Sequence, residues 1–184
     1  MTAITASEIL FKYSVKTGAA GNSTASSAAA SLGTWVSTTQ WAGGAANDLF
    51  DDITGAENAA STVDYRCIFV HNSNTSNVLA NAVVYLSAET AGGASIAVAA
   101  DTTAASALAA GTAQALTATT ETAPGGGVTG LSYSSPTTAA TGVSLGSIGI
   151  GQVKAFWVKR TAANTAALSN DGVTIAVSGD TGSL

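Results

Sequence analysis

Cysteine and charge are what this sequence has least of. Its 184 residues include a single cysteine, Cys67, so no intramolecular disulfide can staple the fold. Charged residues make up 9% of the chain, against about 25% in typical soluble domains. The net charge is −5 and the six Lys and Arg are scattered, whereas nucleic-acid binding needs clustered cations to neutralise phosphates. We therefore expect no nucleic-acid partner.

Long apolar runs are also missing from the chain. Nowhere do about eighteen or more apolar residues follow one another without polar interruption. The N-terminal stretch "MTAITASEILFKYSV" has no basic region followed by an apolar run. The sequence predicts neither a membrane span nor an export signal, so a protein acting outside a cell would leave by lysis or within a particle.

Bulky side chains are few for a chain of this length. Hydrophobic residues reach 46%, but alanine supplies much of this and there are only four Phe, three Trp and four Tyr. A buried alanine methyl contributes far less than the roughly 1.5–3 kcal/mol of a large apolar side chain. We expect one domain with a thin core, for which contacts between subunits supplement stability.

What the sequence does have is a series of short β-forming segments separated by turn residues. Segments of this spacing with almost no helix predict an all-β protein, an antiparallel β-sandwich of immunoglobulin-like or jelly-roll type. We expect the last two strands to pair with each other across the loop 161–171. The predicted strands are residues 9–15, 34–41, 63–71, 82–88, 94–100, 131–135, 142–148, 151–160 and 172–179.

The N-terminal third carries the predicted exceptions to strand structure. Residues 16–34 are small and show no hydrophobic period, which predicts an extended arm or a long loop. Residues 45–57 are the best candidate for one short helix, with Leu49, Phe50 and Ile53 at helical spacing.

The domain organisation follows from these segments. Residues 1–61 are predicted to supply a strand, the arm and the short helix, packed on a β-sandwich body at 62–184 within a single structural domain. The pattern of residues 101–127 predicts no particular structure.

The stretch "DYRCIFVHN", residues 64–72, holds the only cysteine and the only histidine. In a strand Cys67 and His71 share a face but lie about 13 Å apart, since each residue rises about 3.3 Å. They cannot form a catalytic pair. We expect Cys67 to be a small buried hydrophobe, His71 to have a surface or hydrogen-bonding role, and Arg66 to pair with a carboxylate such as Asp64 or one on an adjacent strand.

No other group of residues predicts chemistry. One histidine and one cysteine support neither a zinc site nor a catalytic triad, and the acidic residues of 48–57 lack calcium-loop spacing. The tryptophans Trp35, Trp41 and Trp157 could form a sugar-stacking platform, although in a core-poor protein they are more often core residues or contact anchors. We expect no enzyme activity, no cofactor and no metal.

Several segments resemble a family of small Ala/Thr/Gly-rich proteins encoded among the virion structural genes of tailed bacteriophages. The resemblance covers roughly the second two-thirds of the chain and an N-terminal segment. It is carried by "VDYRCIFVHNSN", "AVVYLSAETAGGASIAVAAD", "GQVKAFWVKRTAAN", "NDGVTIAVSGDT" and "SVKTGAAGNSTA". It implies a structural part of a particle, assembled in the host cytoplasm, and brings no catalytic motif with it.

Within that class we expect a capsid decoration or cement protein that is seated on the head lattice. Its partners would be the major capsid protein and further copies of itself, and the arm would reach across a subunit seam. The candidate assembly contacts are Lys16, Asn22, Trp35 and Trp41. The alternative is a tail-fibre or baseplate β-sandwich whose loops 71–77 and 123–136 bind a host glycan.

Overall fold

The computed structural model describes residues 3–25 and 27–182, and within them nine strands form two antiparallel sheets. The six-stranded sheet has the order β2-β1-β3-β8-β5, with the short β6 also beside β8, and the three-stranded sheet has the order β7-β4-β9. The all-β sandwich predicted from the sequence is confirmed. The strands are β1 (Ile9–Val15), β2 (Trp35–Gln40), β3 (Val63–Asn72), β4 (Val78–Glu89), β5 (Ser95–Ala100), β6 (Ser106–Ala107), β7 (Val143–Ile148), β8 (Gln152–Thr161) and β9 (Val173–Gly182).

Strand β3 shows why the large sheet is buried on both faces. Ile68 and Val70 point into the core between the two sheets, whereas Cys67 and Phe69 point to the opposite face, as the predicted alternation requires. All four side chains are fully buried. A strand with two buried faces lies in the middle of a sheet, and β3 does lie between β1 and β8.

The outer face of the large sheet is covered by loops instead of a third sheet. A second apolar cluster joins Phe69 and Trp157 of the sheet to Leu32, Ala118 and other residues of the loops above them. Three of the ten buried residues in this outer cluster are alanines, whereas the buried cluster between the sheets is Leu, Ile, Val and Phe with the one alanine Ala82. The protein therefore has three layers, namely the small sheet, the large sheet and a loop layer.

The predicted arm, residues 16–34, belongs to this loop layer. It has no strand or α-helix and only one 3-10 turn, Ala28–Ala30, among its described residues, which fits the predicted loop. It does not project from the body, however. The Gly21 N–H donates to the Val36 carbonyl at 2.8 Å, and the Thr38 N–H donates to the Ser23 carbonyl at 2.8 Å. The loop thus lies along β2 of its own chain, because the edge of β2 supplies backbone partners.

Ser31 fixes this loop to the sheet. Its buried hydroxyl accepts from the Ser14 N–H at 2.7 Å and donates to the Cys67 carbonyl at 2.5 Å. We expect Ser31→Ala to lower the free energy of unfolding by about 1–3 kcal/mol, because two buried backbone groups lose a partner. Urea denaturation would measure the change, with the exposed Ser27→Ala as the control. Equal stability of the two variants would contradict this account.

The predicted helix over residues 45–57 is wrong. The α-helix is α1 (Gly55–Ala60), and it starts where the predicted one was to end. Thr54 caps it through a reciprocal pair of hydrogen bonds with Glu57, which fixes the start, while Asn47 has a positive φ of 59° that interrupts a right-handed helix. The apolar residues of 45–53 instead anchor a loop to the end of the sandwich core, with Leu49 buried there.

The predicted pairing of the last two strands is also wrong. β8 lies in the large sheet between β3 and β5, whereas β9 pairs with β4 in the small sheet. The physical reason is burial, since Phe156, Trp157 and Val158 are buried in succession and need cover on both faces. The predicted strand at 131–135 is reduced to an isolated bridge between Ser134 and Val98.

Candidate functional site

Cys67 is enclosed in the outer core. Its side chain has no exposed surface, and burial raises the pKa of the thiol well above its ordinary value, with the charge of Asp101 adding to the rise. A neutral, enclosed thiol is a poor nucleophile. The predicted role as a small buried hydrophobe is confirmed.

His71 is buried, so the surface position predicted for it is wrong. Strand β3 continues to Asn72, which places His71 inside the sheet, where only 8% of it is exposed. Its Nδ1 has no hydrogen-bond partner among the described residues. Burial lowers the pKa of the imidazole, and the nearby Lys12 of β1 lowers it further. The imidazole of His71 therefore lies within the strand in its uncharged form.

This burial makes stability depend on pH. Because the folded-state pKa of His71 lies below 6.5, the unfolded chain binds more protons in that window, and stability is lost as the pH falls from 6.5 towards the lowered value. We expect the free energy of unfolding to decrease between pH 7 and pH 5 by at most about 1.4 kcal/mol per pH unit. Urea titrations at each pH would measure it, and His71→Leu should remove the slope.

Two carboxylates that titrate at lower pH provide the control for this prediction. Glu8 and Glu57 have pKa values lowered below 4.5 by hydrogen bonds from Thr5 and Thr54, so their contribution is lost only as the pH falls below 4.5. Both should titrate alike in the wild type and in His71→Leu. An unchanged slope between pH 7 and pH 5 in the variant would contradict the assignment to His71.

Two arginines at one end of the inter-sheet core form separate ion pairs. Arg66 pairs with Glu121 of a loop, and Arg160 pairs with Asp64 at 2.6 Å. The predicted pairing of Arg66 with a carboxylate is confirmed, but the partner is Glu121 of a loop and neither Asp64 nor a carboxylate on an adjacent strand. Asp64 lies directly opposite Arg160 in the β3–β8 register and forms its ion pair with that residue.

The same two guanidinium groups hold the loop before α1. They lie over the ring of Phe50, at 5.1 Å for Arg66 and 4.7 Å for Arg160. Arg66 Nε also donates to the Leu49 carbonyl at 3.1 Å, and Arg160 donates to the Asp51 carbonyl. Both guanidinium groups at this end of the core bind groups of the same chain. We therefore assign this end a structural role and do not treat it as a candidate binding site.

Asp101 holds the loop layer to the large sheet, and sequence reasoning missed it. Its carboxylate accepts from Trp157 Nε1 at 2.7 Å and from the Leu116 N–H at 2.8 Å, while its carbonyl accepts from Lys154 Nζ at 2.7 Å. Asp101 is 2% exposed. The available signal was the central Trp157, because a buried indole N–H requires an acceptor.

Each of the six basic side chains contacts other groups of the same chain. Arg66, Lys154 and Arg160 are engaged as described, and the other three Lys and Arg also contact the protein itself. Lys12 Nζ donates to the Thr38 carbonyl at 3.3 Å and Lys16 Nζ to the Thr119 carbonyl at 2.8 Å, while Lys159 lies 5.2 Å from the ring centre of Tyr133. Arg66, Lys154 and Arg160 are buried, Lys12 and Lys159 are half-buried, and Lys16 is exposed.

Within residues 3–25 and 27–182, no cluster of three or more His, Cys, Asp or Glu is placed to hold a metal ion. No helix in these ranges has the length and apolar character needed to span a bilayer.

Two open grooves remain as candidate contact sites. The outer groove, about 470 Å³ in volume, is lined by Val15 at the end of β1 and by residues of the 16–34 loop, including Lys16, Ser23 and Leu32. Asn22 is exposed on the same loop. Trp35 is half-buried and pairs with Val15 in the β1–β2 register. Three of the four predicted assembly contacts thus lie in one region.

The fourth, Trp41, lies in the edge groove, about 340 Å³ in volume, between the end of β2 and the start of β9. Six residues of strand separate it from Trp35, or about 20 Å. Its ring packs edge-on against Phe11 with centres 5.6 Å apart. Trp41 Nε1 and Asp48 Oδ2, which both belong to residues lining this groove, have no hydrogen-bond partner among the described residues.

Comparisons with protein-family models, with curated proteins and with solved structures find no match for this chain.

Proposed function

We propose that this chain is a structural protein of a tailed bacteriophage virion and, within that class, a decoration protein that binds and stabilises the capsid lattice. Its partners are the major capsid protein and further copies of itself, and it assembles in the host cytoplasm. The resemblance of its segments to virion structural proteins supports the class, and the chemistry of its surface supports a role in packing.

The observation that carries the proposal is the use of all six basic side chains within the chain itself. The exposed residues are mainly Ala, Ser, Thr and Gly, with a few carboxylates and the single exposed cation Lys16 among the described residues. Small neutral side chains lose little conformational entropy when they are buried, and few charges must be desolvated. Such a surface favours close packing on other protein subunits. It offers little for catalysis or for nucleic-acid binding.

The region around the outer groove is the proposed lattice contact. It brings together Lys16 and Asn22 of the 16–34 loop and Trp35 of β2, and the sheet already holds this loop in place, so that docking would order few new residues. The loop does not reach across a seam as a detached arm, because its backbone groups are bonded to β2. The contact is a surface formed by this loop.

The number of copies per virion tests whether the protein belongs to the head or to the tail. Quantitative mass spectrometry of purified virions should give on the order of hundreds of copies per particle, as expected for a protein repeated over a symmetric lattice, whereas about a dozen or fewer would place it in the tail. A tail count would overturn the decoration role.

A charge substitution tests the surface. Asn22→Glu should weaken co-sedimentation with heads that lack the protein, since it places a charge on the proposed contact. Thr137→Glu is the matched control, because Thr137 is also exposed but lies beside Pro136, whose carbonyl accepts from Leu86 of the small sheet. Equal loss in both variants, or no loss in either, would place the contact elsewhere.

One observation favours glycan binding as the second candidate function. The edge groove is lined by Trp41 and Asp48, whose Nε1 and Oδ2 atoms are buried and lack hydrogen-bond partners among the described residues. A sugar stacked on the indole could satisfy both atoms if the groove opened to expose them. The loop 71–77 proposed earlier is less suited. The side chains of Asn72 and Asn74 are already bonded within the chain.

Indole fluorescence separates the two functions. Oligosaccharide titration should leave the spectrum unchanged under the decoration proposal. Quenching that is abolished in Trp41→Phe but kept in Trp35→Phe would favour glycan binding at the edge groove. The two substitutions are matched, because both tryptophans are half-buried, Trp35 as the first residue of β2 and Trp41 as the residue that follows its end.

A further inference from the structure

Strand β9 leaves one long edge without a backbone hydrogen-bond partner, although the Ile4 N–H donates to Thr181 Oγ1 at 3.0 Å near its end and the edge groove adjoins its start. Its ten residues pair with β4 on one side, and no other backbone partner joins the strand among the described residues. It contains no proline or lysine, and its only charged residue is Asp180 near the end. An edge of this kind is a template for pairing with another strand.

The other sheet edges are protected, which makes β9 distinctive. The 16–34 loop bonds to the edge of β2, and Ser134 exchanges backbone hydrogen bonds with Val98 at the edge of β5. β7 is six residues long and is interrupted at Gly146, which has a φ of 75°. Since natural sheets cover or distort edges that stay in solvent, the unprotected edge marks an interface.

We propose that β9 pairs in antiparallel fashion with β9 of a second copy, so that the two small sheets become one six-stranded sheet. A two-fold axis at Ala176 places Ile175 opposite Val177 of the other copy, and Thr174 opposite Ser178. Apolar residues then meet on the core side and hydroxyls meet on the outer side. The inference supplies a surface for the self-association included in the proposed function.

The side-chain pattern of β9 supports this partner. Ile175 and Val177 pair with Leu86 and Val84 of the core, so they face inward, and Val177 keeps some exposed surface that an added strand would cover. On the outer face the side chain at the axis is the small Ala176, which leaves room for its symmetry mate.

Charge also favours a second copy. Residues 173–179 contain no ionisable side chain. In the proposed register Asp180 lies opposite Gly172 and Asp171 lies opposite Thr181, so no two carboxylates face each other. For a chain with a net charge of −5 this matters, because most self-contacts would otherwise bring like charges together.

The interface is small. One pair of edge strands buries less than the roughly 1,200 Å² of a standard stable interface, so we expect a dimer with a dissociation constant of about micromolar. Repetition on a particle would strengthen it further through effective concentration.

The test is sedimentation velocity of the purified full-length chain over a range of concentrations. The wild type should dimerise, and Ala176→Lys and Ala176→Glu should each weaken dimerisation by tenfold or more, since like charges meet at the axis. An equimolar mixture of the two should restore a dimer. Ser87→Lys, on the exposed face of the central strand β4, is the control and should dimerise like the wild type.

A second pair of variants covers the case in which a charge at Ala176 prevents folding. Thr174→Lys with Ser178→Glu is complementary across the axis and should keep the dimer, whereas Thr174→Lys with Ser178→Lys should lose it. A wild type that stays monomeric at millimolar concentration, or charge variants that dimerise like the wild type, would overturn the proposal.

One further outcome assigns the edge to another partner. If the chain is monomeric and Ala176→Lys loses binding to heads, self-pairing is wrong and the edge takes a capsid strand. The sedimentation experiment contains no particles, so the absence of a dimer would not contradict the proposed binding to the capsid lattice. Conversely, a copy number typical of a tail protein would not contradict the proposed dimer.

Discussion

Asp101→Ala should lower the free energy of unfolding by about 3–5 kcal/mol, because three N–H donors lose the carboxylate that accepts from them. The carboxylate is the acceptor for Trp157 Nε1 and for the Leu116 N–H, and it also accepts from the Thr103 N–H at 2.7 Å. Each buried donor left without an acceptor costs about 1–3 kcal/mol. With a total stability of about 5–15 kcal/mol, this loss would leave the variant close to unfolding.

Two variants check the cause of that loss. Asp101→Asn keeps the shape but has a single acceptor oxygen, so it should fall between the wild type and the alanine variant. Asp52→Ala removes an exposed carboxylate from the loop before α1 and should be nearly neutral. Urea denaturation followed by tryptophan fluorescence would report all three. An Asp101→Ala variant as stable as Asp52→Ala would show that the loop layer does not depend on this anchor.

Arg160→Met should cost a similar amount, about 3–5 kcal/mol. The substitution leaves the carboxylate of Asp64, which is 4% exposed, without its cation in the core. It also removes the contact over Phe50 and the donor to the Asp51 carbonyl, so the loop before α1 should loosen. Thermal unfolding would show the loss as a lower Tm.

A double substitution separates the buried charge from the lost packing. Asp64→Leu with Arg160→Met replaces the whole pair by apolar groups and should recover much of the stability, because no charge is then buried alone. Lys159→Met is the neighbouring control. It removes only a half-exposed cation over Tyr133, worth about 0.5–1 kcal/mol. A double variant no more stable than Arg160→Met would mean that packing dominates.

Strand segments with a strong local pattern were predictable. Strand β3 and its alternation follow from the sequence because β-forming residues with a period of two need no distant information. The 16–34 loop was predictable as irregular for the converse reason, since small residues supply no periodic apolar face. The predicted helix at 45–57 was wrong because three apolar residues at helical spacing are weak evidence for a helix. The capping box at Thr54 instead fixes a helix that begins at Gly55.

The candidate sites were less predictable than the fold. Lys16, Asn22 and Trp35 share a region because the loop returns along β2, and no local pattern encodes that return. Asp48 lines a groove with Trp41 only because β9 passes over the end of β2. His71 looked like the first residue of a polar loop, and one further strand residue was enough to bury it.

By itself the sequence determined an antiparallel sandwich with a single buried thiol and few charges, because composition and periodicity act through local preferences and total burial. The tertiary structure alone decided which strands are neighbours, which carboxylate each arginine takes and which sheet edge stays uncovered. Those outcomes depend on contacts between residues far apart in the chain. Such contacts are chosen by the burial and hydrogen bonding of the whole molecule together.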